Sequence, residues 1–239
     1  MMRIAYMIFC CLFRVPIWFY HIWKLGRDND THTEQERYDY LRYVVKKINI
    51  AGRVKVSGYG VENLPKENGY ILFPNHQGLF DMLALIDACP APVGVVVKKE
   101  VADVILVKQV IALLHGIAID RKDVKASFNI INRMSEEVKA GRNYVIFAEG
   151  TRSKDGNQIL EFKAGTFKSA INANCPIVPV ALIDSFRPFD ISSIRKETVQ
   201  VHIMEPLNPD QYVGLKSRKI AHLVHEKIQD KIDENRVDN

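Results

Sequence analysis

The chain has 239 residues, of which 47% are hydrophobic and 26% charged, an ordinary composition for one α/β domain with peripheral additions. Its net charge of +5 suits anionic lipid headgroups or phosphorylated substrates. The sequence lacks the clustered Lys and Arg with interleaved aromatics that nucleic-acid-binding proteins carry, so we expect no nucleic acid partner. The cysteines have neither the spacing of a zinc site nor that of a disulfide framework. We expect no metal site, and reduced, mostly buried thiols in a cytosolic compartment, at Cys10, Cys11, Cys89 and Cys175.

The most apolar stretch, at residues 4–23, would nearly span a bilayer. Arg14 lies in its middle, at a cost of about 2.5–3.5 kcal/mol on insertion scales, and Pro16 follows closely. We expect no signal peptide, because no small-residue cleavage site follows. A single transmembrane span and a buried core helix stay open, but the pattern favours a helix in one leaflet, bent near Pro16. Residues expected among headgroups are Arg3, Lys24 and Arg27, and those expected at the interface are Trp18, Tyr20 and Trp23.

A second helix is predicted at residues 34–50, where basic residues surround an apolar face. That face repeats at helical spacing and contains Tyr38, Leu41, Val45 and Ile48. Two interpretations are open: a second membrane contact, or a solvated helix packed on the domain. We therefore predict that residues 1–51 form apolar and amphipathic helices for membrane association, and that residues 52–239 form an α/β domain. The protein is expected at the cytosolic face of a membrane, peripheral or singly anchored through its N-terminal segment.

From residue 53 onward, short β-rich runs alternate with helix-like runs. The predicted strands are 53–57, 70–73, 94–98, 144–148, 177–182 and 199–203. The clearest helix is predicted at 123–139 and the last at 216–232. Several strands are apolar throughout, as is typical of strands covered on both faces. The alternation predicts a single α/β domain with a largely parallel or mixed central sheet flanked by helices.

In such sheets, ligands gather at the loops that leave the carboxyl ends of the strands. The loop after strand 70–73 contains His76 and Asp81, which five steps of about 100° would place on different faces of a helix. They can meet if His76 lies in the turn and Asp81 in the first helical turn. Asp81 would then hold one ring nitrogen, and the other could take a proton. Because the chain has no G-x-S-x-G motif, this pair suits activation of a substrate hydroxyl, although a capping or structural role is an alternative.

Two further loops carry groups that can bind an anion. Arg121 ends a short apolar run, and an arginine fork there can hold a phosphate, with a surface Asp–Arg turn as the alternative. The loop after strand 144–148 combines a flexible glycine, a hydroxyl and an arginine, and it contains Glu149, Gly150, Thr151 and Arg152. Lys163 stands at the start of another helix, where amide groups can help to bind an anion. Together these loops predict a phosphorylated substrate that carries a hydroxyl.

At these residues the chain resembles the glycerolipid acyltransferase family, of the 1-acylglycerol-3-phosphate acyltransferase type. The resemblance covers roughly residues 53–205 and agrees in the order and spacing of its blocks. The blocks are Asn75-His76 with Asp81, Gly116 to Arg121, Glu149 to Arg152, and Val178-Pro179-Val180, and Lys98-Lys99 also fits the pattern.

The resemblance implies transfer of an acyl group from a thioester, of coenzyme A or acyl carrier protein, to the 2-hydroxyl of a lysophospholipid, giving phosphatidic acid without a cofactor. It makes His76 the base and Asp81 its partner. The acceptor phosphate would be held by Arg121 and the Glu149–Arg152 loop, with Lys98 and Lys163 as weaker candidates. Val178 to Val180 would line the acyl site or belong to the core, and we favour the core.

The chain departs from the family pattern at Gly78, where many members have Ser or Thr, and at Ala118, where bulkier residues are common. Both departures bear on the preferred substrate more than on the activity. Another lysophospholipid or hydroxylated lipid is an alternative acceptor. A thioester or ester hydrolase and a non-catalytic lipid-binding protein are the alternative functions.

Overall fold

The computed structural model describes residues 2–27, 31–104, 106–120 and 123–235. Its strands are β1 Val54–Tyr59, β2 Ile71–Pro74, β3 Gly94–Lys98, β4 Ile117–Ile119, β5 Tyr144–Val145, β6 Ile177–Ile183 and β7 Glu197–Ile203. Within the described residues they form one sheet in the order β1-β7-β6-β2-β5-β3-β4. Neighbouring strands are parallel except β6 and β7, which are antiparallel. The expected largely parallel or mixed sheet is confirmed.

Helices cover both faces of the sheet. They are α1 Met2–Cys10, α2 Val15–Leu25, α3 Glu34–Ala51, α4 Asp81–Ala88, α5 Lys99–Ala102, α6 Val107–Leu113, α7 Val124–Lys139, α8 Lys168–Ala173, α9 Arg187–Asp190, α10 Pro209–Tyr212 and α11 Ser217–Asn235. Local sequence explains where the long ones begin. Thr33 and Glu36 form a capping box at the start of α3, and the Asp123 side chain accepts a hydrogen bond from the Ala126 amide at the start of α7.

Two apolar clusters lie on opposite faces of the sheet, and alternate residues of the central strands belong to different clusters. In β2, Leu72 packs with the cluster under α1 to α4, whereas Ile71 and Phe73 pack with the cluster under α7, α8 and α11. This double burial explains why the central strands are apolar throughout. The described thiols are all free, with Cys10 exposed and the other three buried.

The N-terminal helices α1 and α2 meet at a bend of 92°, in a break that ends just before Pro16. No single helix among the described residues is long and apolar enough to cross a bilayer. Within the same residues, α1 and α2 taken together are the one bent pair with sufficient length and apolar composition. The pair shares the core of the α/β domain, because Met7 and Ile22 are buried in the same cluster as strand residues. The helix predicted at 34–50 is α3, and it packs on the domain through its buried face.

Two expectations for the N-terminal segment need correction. Arg3 does not reach toward headgroups: it is fully buried, because backbone carbonyls of Gly52 and Pro188 accept hydrogen bonds from its guanidinium. Trp18 does not lie at the surface either, since it is only 7% exposed and packs in the core. A cationic side chain beside an apolar run ordinarily lies among lipid headgroups. Arg3 is buried instead, because its hydrogen-bond partners come from segments distant in sequence.

Candidate active site

The predicted functional loops leave from one edge of the sheet. β2, β5, β3 and β4 are consecutive neighbours and run parallel, so the segments after them emerge on the same side. These segments contain His76 after β2, Glu149 to Arg152 after β5, and Lys98 at the end of β3. Arg121, predicted after β4, lies outside the described residues. This edge is the place where parallel sheets usually bind ligands.

His76 and Asp81 are in direct contact. The ring atom Nδ1 of His76 lies 2.7 Å from Oδ2 of Asp81, which is the first residue of α4. The His76 ring also stacks on Phe147, with 4.2 Å between the ring centroids. Because a carboxylate only accepts, Nδ1 carries the proton that it donates to Asp81. Among the described residues none bonds to Nε2, and the side chain is 21% exposed, so this nitrogen can take a proton from a ligand.

The Asp81 carboxylate is buried and held in one orientation by several donors. The backbone amide of Gln77 donates to Oδ2 at 2.7 Å, and that of Gly78 donates to Oδ2 at 3.0 Å. The hydroxyl of Ser185, in the segment after β6, donates to Oδ1. Hydrogen bonds of this kind fix the position of the group that orients His76. Ser185 was not predicted, because a serine distant in sequence gives no local signal.

Side-chain amides extend this network away from the reactive atoms. Oε1 of Gln77 accepts from the Ser185 amide at 2.8 Å, and Nε2 of Gln77 donates to Oδ1 of Asn157 at 2.8 Å. The side chain of Asn75 exchanges two hydrogen bonds with the backbone of Leu182 in β6, at 2.7 and 3.0 Å. These groups are positioned to keep the turn around His76 rigid.

Glu149 ties the two main loops together. Its carboxylate is 2% exposed and accepts hydrogen bonds from the backbone amides of His76, at 2.6 Å, and of Leu160, at 3.1 Å. Burial raises the pKa of Glu149 to about 7, against the lowering effect of these two bonds and with a further rise from the charge of Asp81. Each oxygen thus accepts from a backbone amide, which joins the two loops, and the predicted contact of Glu149 with the acceptor phosphate stays a prediction.

The turn at Gly150 brings a lysine to this loop. Gly150 has φ +71°, and a Cβ at this position would lie 2.5 Å from Nζ of Lys163. The positive φ favours glycine at this position, and the absence of a side chain lets the end of Lys163 lie close to the backbone. Thr151 and Arg152 follow on the exposed side of the loop. Lys98 is half-exposed and pairs with Glu100 at 3.0 Å, so its charge is partly balanced by a neighbour.

An apolar cavity of about 270 Å³ opens beside these groups. Its wall includes Phe147, whose ring stacks on His76, and Gly150 and Lys163. The remaining wall is mostly aliphatic and comes from β3, β4, α7 and Ile146, which follows β5, with Met134 among its residues. Val178 and Val180 are not in this wall but in the core, which we had favoured, and Ala118 is exposed, whereas its neighbour Ile119 lines the cavity.

Comparisons with known proteins agree with this geometry. The sequence model of the family described as Acyltransferase matches residues 53–183. A probable 1-acyl-sn-glycerol-3-phosphate acyltransferase of Mycoplasma pneumoniae is 30% identical over 189 residues, which are 73% of this chain and 70% of that protein. Human 1-acyl-sn-glycerol-3-phosphate acyltransferase alpha is 27% identical over 192 residues, 77% of this chain and 67% of the human one.

The fold is shared as well. The crystal structure of the 1-acyl-sn-glycerophosphate acyltransferase of Thermotoga maritima superposes with a TM-score of 0.78 over the full length of both chains, at 22% identity. The family match extends over more than half of the chain and includes the His76–Asp81 turn and the Glu149–Arg152 loop. The chain therefore belongs to the acyltransferase family.

Proposed function

We propose that this acyltransferase moves a fatty acyl group from an acyl thioester to the 2-hydroxyl of 1-acylglycerol-3-phosphate, giving phosphatidic acid. The observation that carries the proposal is the ring of His76, oriented by Asp81 and leaving Nε2 open at a sheet edge that also carries Arg152 and Lys163. The relatives and the Thermotoga protein are named as acyltransferases of this same acceptor.

In the reaction, Nε2 of His76 takes the proton of the acceptor hydroxyl while its oxygen attacks the thioester carbonyl carbon. Asp81 stabilises the imidazolium that forms. The C–S bond then breaks and the thiolate leaves with little need for acid assistance, since an ordinary thiol has a pKa near about 8.5. The proton on His76 passes to the thiolate or to water. The substrate, and not the protein, supplies the nucleophile.

Two buried thiols of the α/β domain, those of Cys89 and Cys175, support this direct transfer. A covalent acyl-enzyme intermediate on cysteine would need a reactive thiolate near His76. Burial raises the pKa of Cys89 to about 11 and that of Cys175 to about 12, so neither forms a thiolate at neutral pH. Among the described residues none donates a hydroxyl or thiol to Nε2 of His76.

The acceptor phosphate lies, in this proposal, between the exposed side of the Gly150–Arg152 loop and the ammonium of Lys163, with Arg121 and Lys98 as further cations. An arginine fork and a lysine beside exposed backbone are suited to a phosphate monoester. The acyl chain occupies the apolar cavity behind Phe147, where its burial stabilises the bound state by about 0.8 kcal/mol per methylene. The donor is a thioester of coenzyme A or of acyl carrier protein, and no cofactor takes part.

We further propose that the protein works at a lipid surface, at the cytosolic face of a membrane, through α1 and α2. Large apolar side chains of this pair are exposed to an extent unusual for a protein surface in water. Phe13, in the break between the two helices, is 90% exposed and Phe9 is 76% exposed, and Leu12, Ile17 and Tyr20 are exposed as well. Arg14 and Lys24 are exposed beside them, where headgroup phosphates can pair with them.

The test mixes purified protein with lysophosphatidic acid and, separately, acyl-coenzyme A or acyl carrier protein thioester, and identifies the products by mass. Phosphatidic acid is expected from the parent protein and none from His76→Ala, which should keep its circular dichroism spectrum. Free fatty acid in place of diacyl lipid would identify a hydrolase, and an active His76→Ala enzyme would refute the role of the base.

Arg152→Ala tests the phosphate assignment. It should raise KM for the acceptor about tenfold, because one charge-assisted contact with the phosphate is lost, and leave KM for the donor unchanged. Arg218→Ala, which removes an exposed arginine in the first turn of α11, is the matched control. Equal acceptor dependence in both variants would contradict the assignment.

A further inference from the structure

The first turn of α1 carries a fully buried arginine that the proposed chemistry does not use. Nη1 of Arg3 donates to the carbonyl of Gly52 at 2.7 Å, and Nε donates to the carbonyl of Pro188 at 3.0 Å. Nη2 lies 3.8 Å from a carboxylate oxygen of Glu197. These contacts join α1 to the end of α3, to α9 and to the start of β7. Since the N–H groups of a guanidinium point in fixed directions, they also fix how these elements lie relative to one another.

The short helix α9 that Arg3 holds lies against the catalytic turn. Ser185, which donates to Asp81, stands two residues before α9. Phe189, within α9, packs edge-on against Phe80 with 5.2 Å between the ring centroids. Phe80 is fully buried and directly precedes Asp81. A shift of α9 would therefore act on the Ser185 hydroxyl that binds Asp81 and on Phe80, the residue directly before it.

We propose that Arg3 is a positioning residue for acyl transfer, acting through α9 and Ser185 on the His76–Asp81 pair. This inference rests on the proposed function. The helix that carries Arg3 also presents Phe9 to the lipid surface, so the seating of α1 and the geometry of the catalytic pair depend on one buried side chain. Lifting α1 from the domain withdraws the guanidinium and lowers kcat, while the acceptor site stays as it is.

Arg3→Met tests this, because it keeps an unbranched apolar stem of similar length and removes the hydrogen-bond donors. Turnover is measured on full-length protein with short-chain lysophosphatidic acid below its aggregation concentration, without vesicles. We expect kcat to fall at least tenfold and KM for the acceptor to change less than twofold. Sedimentation with phosphatidylglycerol-containing vesicles should equal that of the parent, because the apolar face is unchanged. Arg218→Met, on the exposed start of α11, is the matched control and should behave as the parent.

The double variant that combines Arg3→Met with Ser185→Ala distinguishes a positioning role of Arg3 from a purely structural one. If Arg3 acts through Ser185, kcat of the double variant lies within about threefold of the lower single variant, whereas independent effects multiply. Multiplied effects, a parental kcat, or a rise in KM alone would overturn the proposal.

Arg3→Lys decides the matter if Arg3→Met does not fold. Lysine keeps the buried charge but not the planar fork, so we expect a folded protein whose kcat is reduced at least threefold. A lysine variant that has parental kcat, or that does not fold, overturns the positioning role. His76→Ala is measured in parallel: if it is as active as the parent, the proposed function fails, and if it is inactive while the Arg3 variants are parental, only the positioning role fails.

Discussion

The buried carboxyl of Glu149 predicts that the protein becomes less stable as pH rises toward neutrality. Its pKa is about 7 in the folded protein and 4.5 in the ordinary case, because burial disfavours the charged form. Between these values the folded protein keeps the proton while the unfolded chain has lost it. The free energy of unfolding therefore falls as pH rises from about 4.5 to about 7, and the effect is complete above that range. At about 1.4 kcal/mol for each pKa unit, the loss is at most about 3.5 kcal/mol.

Glu149→Gln isolates this effect, because glutamine has nearly the same shape and does not titrate. Urea unfolding in a neutral detergent, at pH 5 and pH 8, gives the change in the free energy of unfolding for parent and variant. We expect the parent to lose about 2–3 kcal/mol more than Glu149→Gln over this interval. At pH 5 the variant should be the less stable protein, because its amide nitrogen replaces one of the two acceptors.

The control for this experiment is Glu226→Gln, at a carboxylate of α11 whose side chain is 55% exposed. Exposed carboxylates contribute little to stability, so this variant should follow the parent at both pH values. The same pH dependence in parent and Glu149→Gln would refute the argument that burial raises the pKa of this group. The free energy of unfolding of the parent could also rise between pH 5 and pH 8 because of other groups. The argument about Glu149 would then be refuted if the rise in Glu149→Gln were equal to that in the parent or smaller.

Further variants probe the catalytic pair, the cavity and the N-terminal helices. Asp81→Asn should lower kcat by about 10²–10⁴, since it loses the charge that stabilises the imidazolium, and a kcat within threefold of the parent in steady-state kinetics would contradict this. Met134→Trp should reduce the cavity and lower kcat/KM for a 16-carbon thioester at least tenfold relative to an 8-carbon one; an unchanged ratio would mean that the chain binds elsewhere. Phe13→Asp should weaken vesicle binding at least fivefold in sedimentation without lowering Tm, because the side chain is 90% exposed, and parental sedimentation would argue against contact with lipid.

Local patterns in the sequence predicted most of the sheet. The apolar runs that became β2, β3 and β6 are long enough to stand out, and they differ from the observed bounds by at most a residue or so. β5 is shorter than the predicted 144–148 and ends at Val145, although the amide of Ile146 still donates to the carbonyl of Leu72 at 2.9 Å. The reversal of β7 was not predictable, since its direction depends on which strand it meets and not on its own residues.

The site was predictable where residues lie close in sequence and not where they meet only in the fold. His76 and Asp81 are five residues apart, so a single turn of the chain is enough to bring them into contact, and the structure has this contact. Ser185 binds Asp81, 104 residues away, and Arg3 binds Pro188, 185 residues away, and no spacing rule reveals such contacts. Glu149 was grouped with its loop neighbours because one sequence does not show which side chain turns inward. Its buried bond to the amide of His76 separates it from them.

The hydrogen bonds between Asn75 and Leu182 have a consequence for how the catalytic turn leaves the sheet. When a strand bends away from the sheet, the peptide groups of the neighbouring strand ordinarily lose their hydrogen-bond partners. Burying such a group unpaired costs about 1–3 kcal/mol. Here a carboxamide imitates the missing peptide unit, giving one acceptor and one donor to β6. The main chain can therefore leave the sheet at Asn75, one residue before His76, while the backbone of β6 keeps its hydrogen bonds. Asparagine at this position is a requirement of sheet geometry, and its isosteric replacement by aspartate would fail by losing a donor without changing any reacting group.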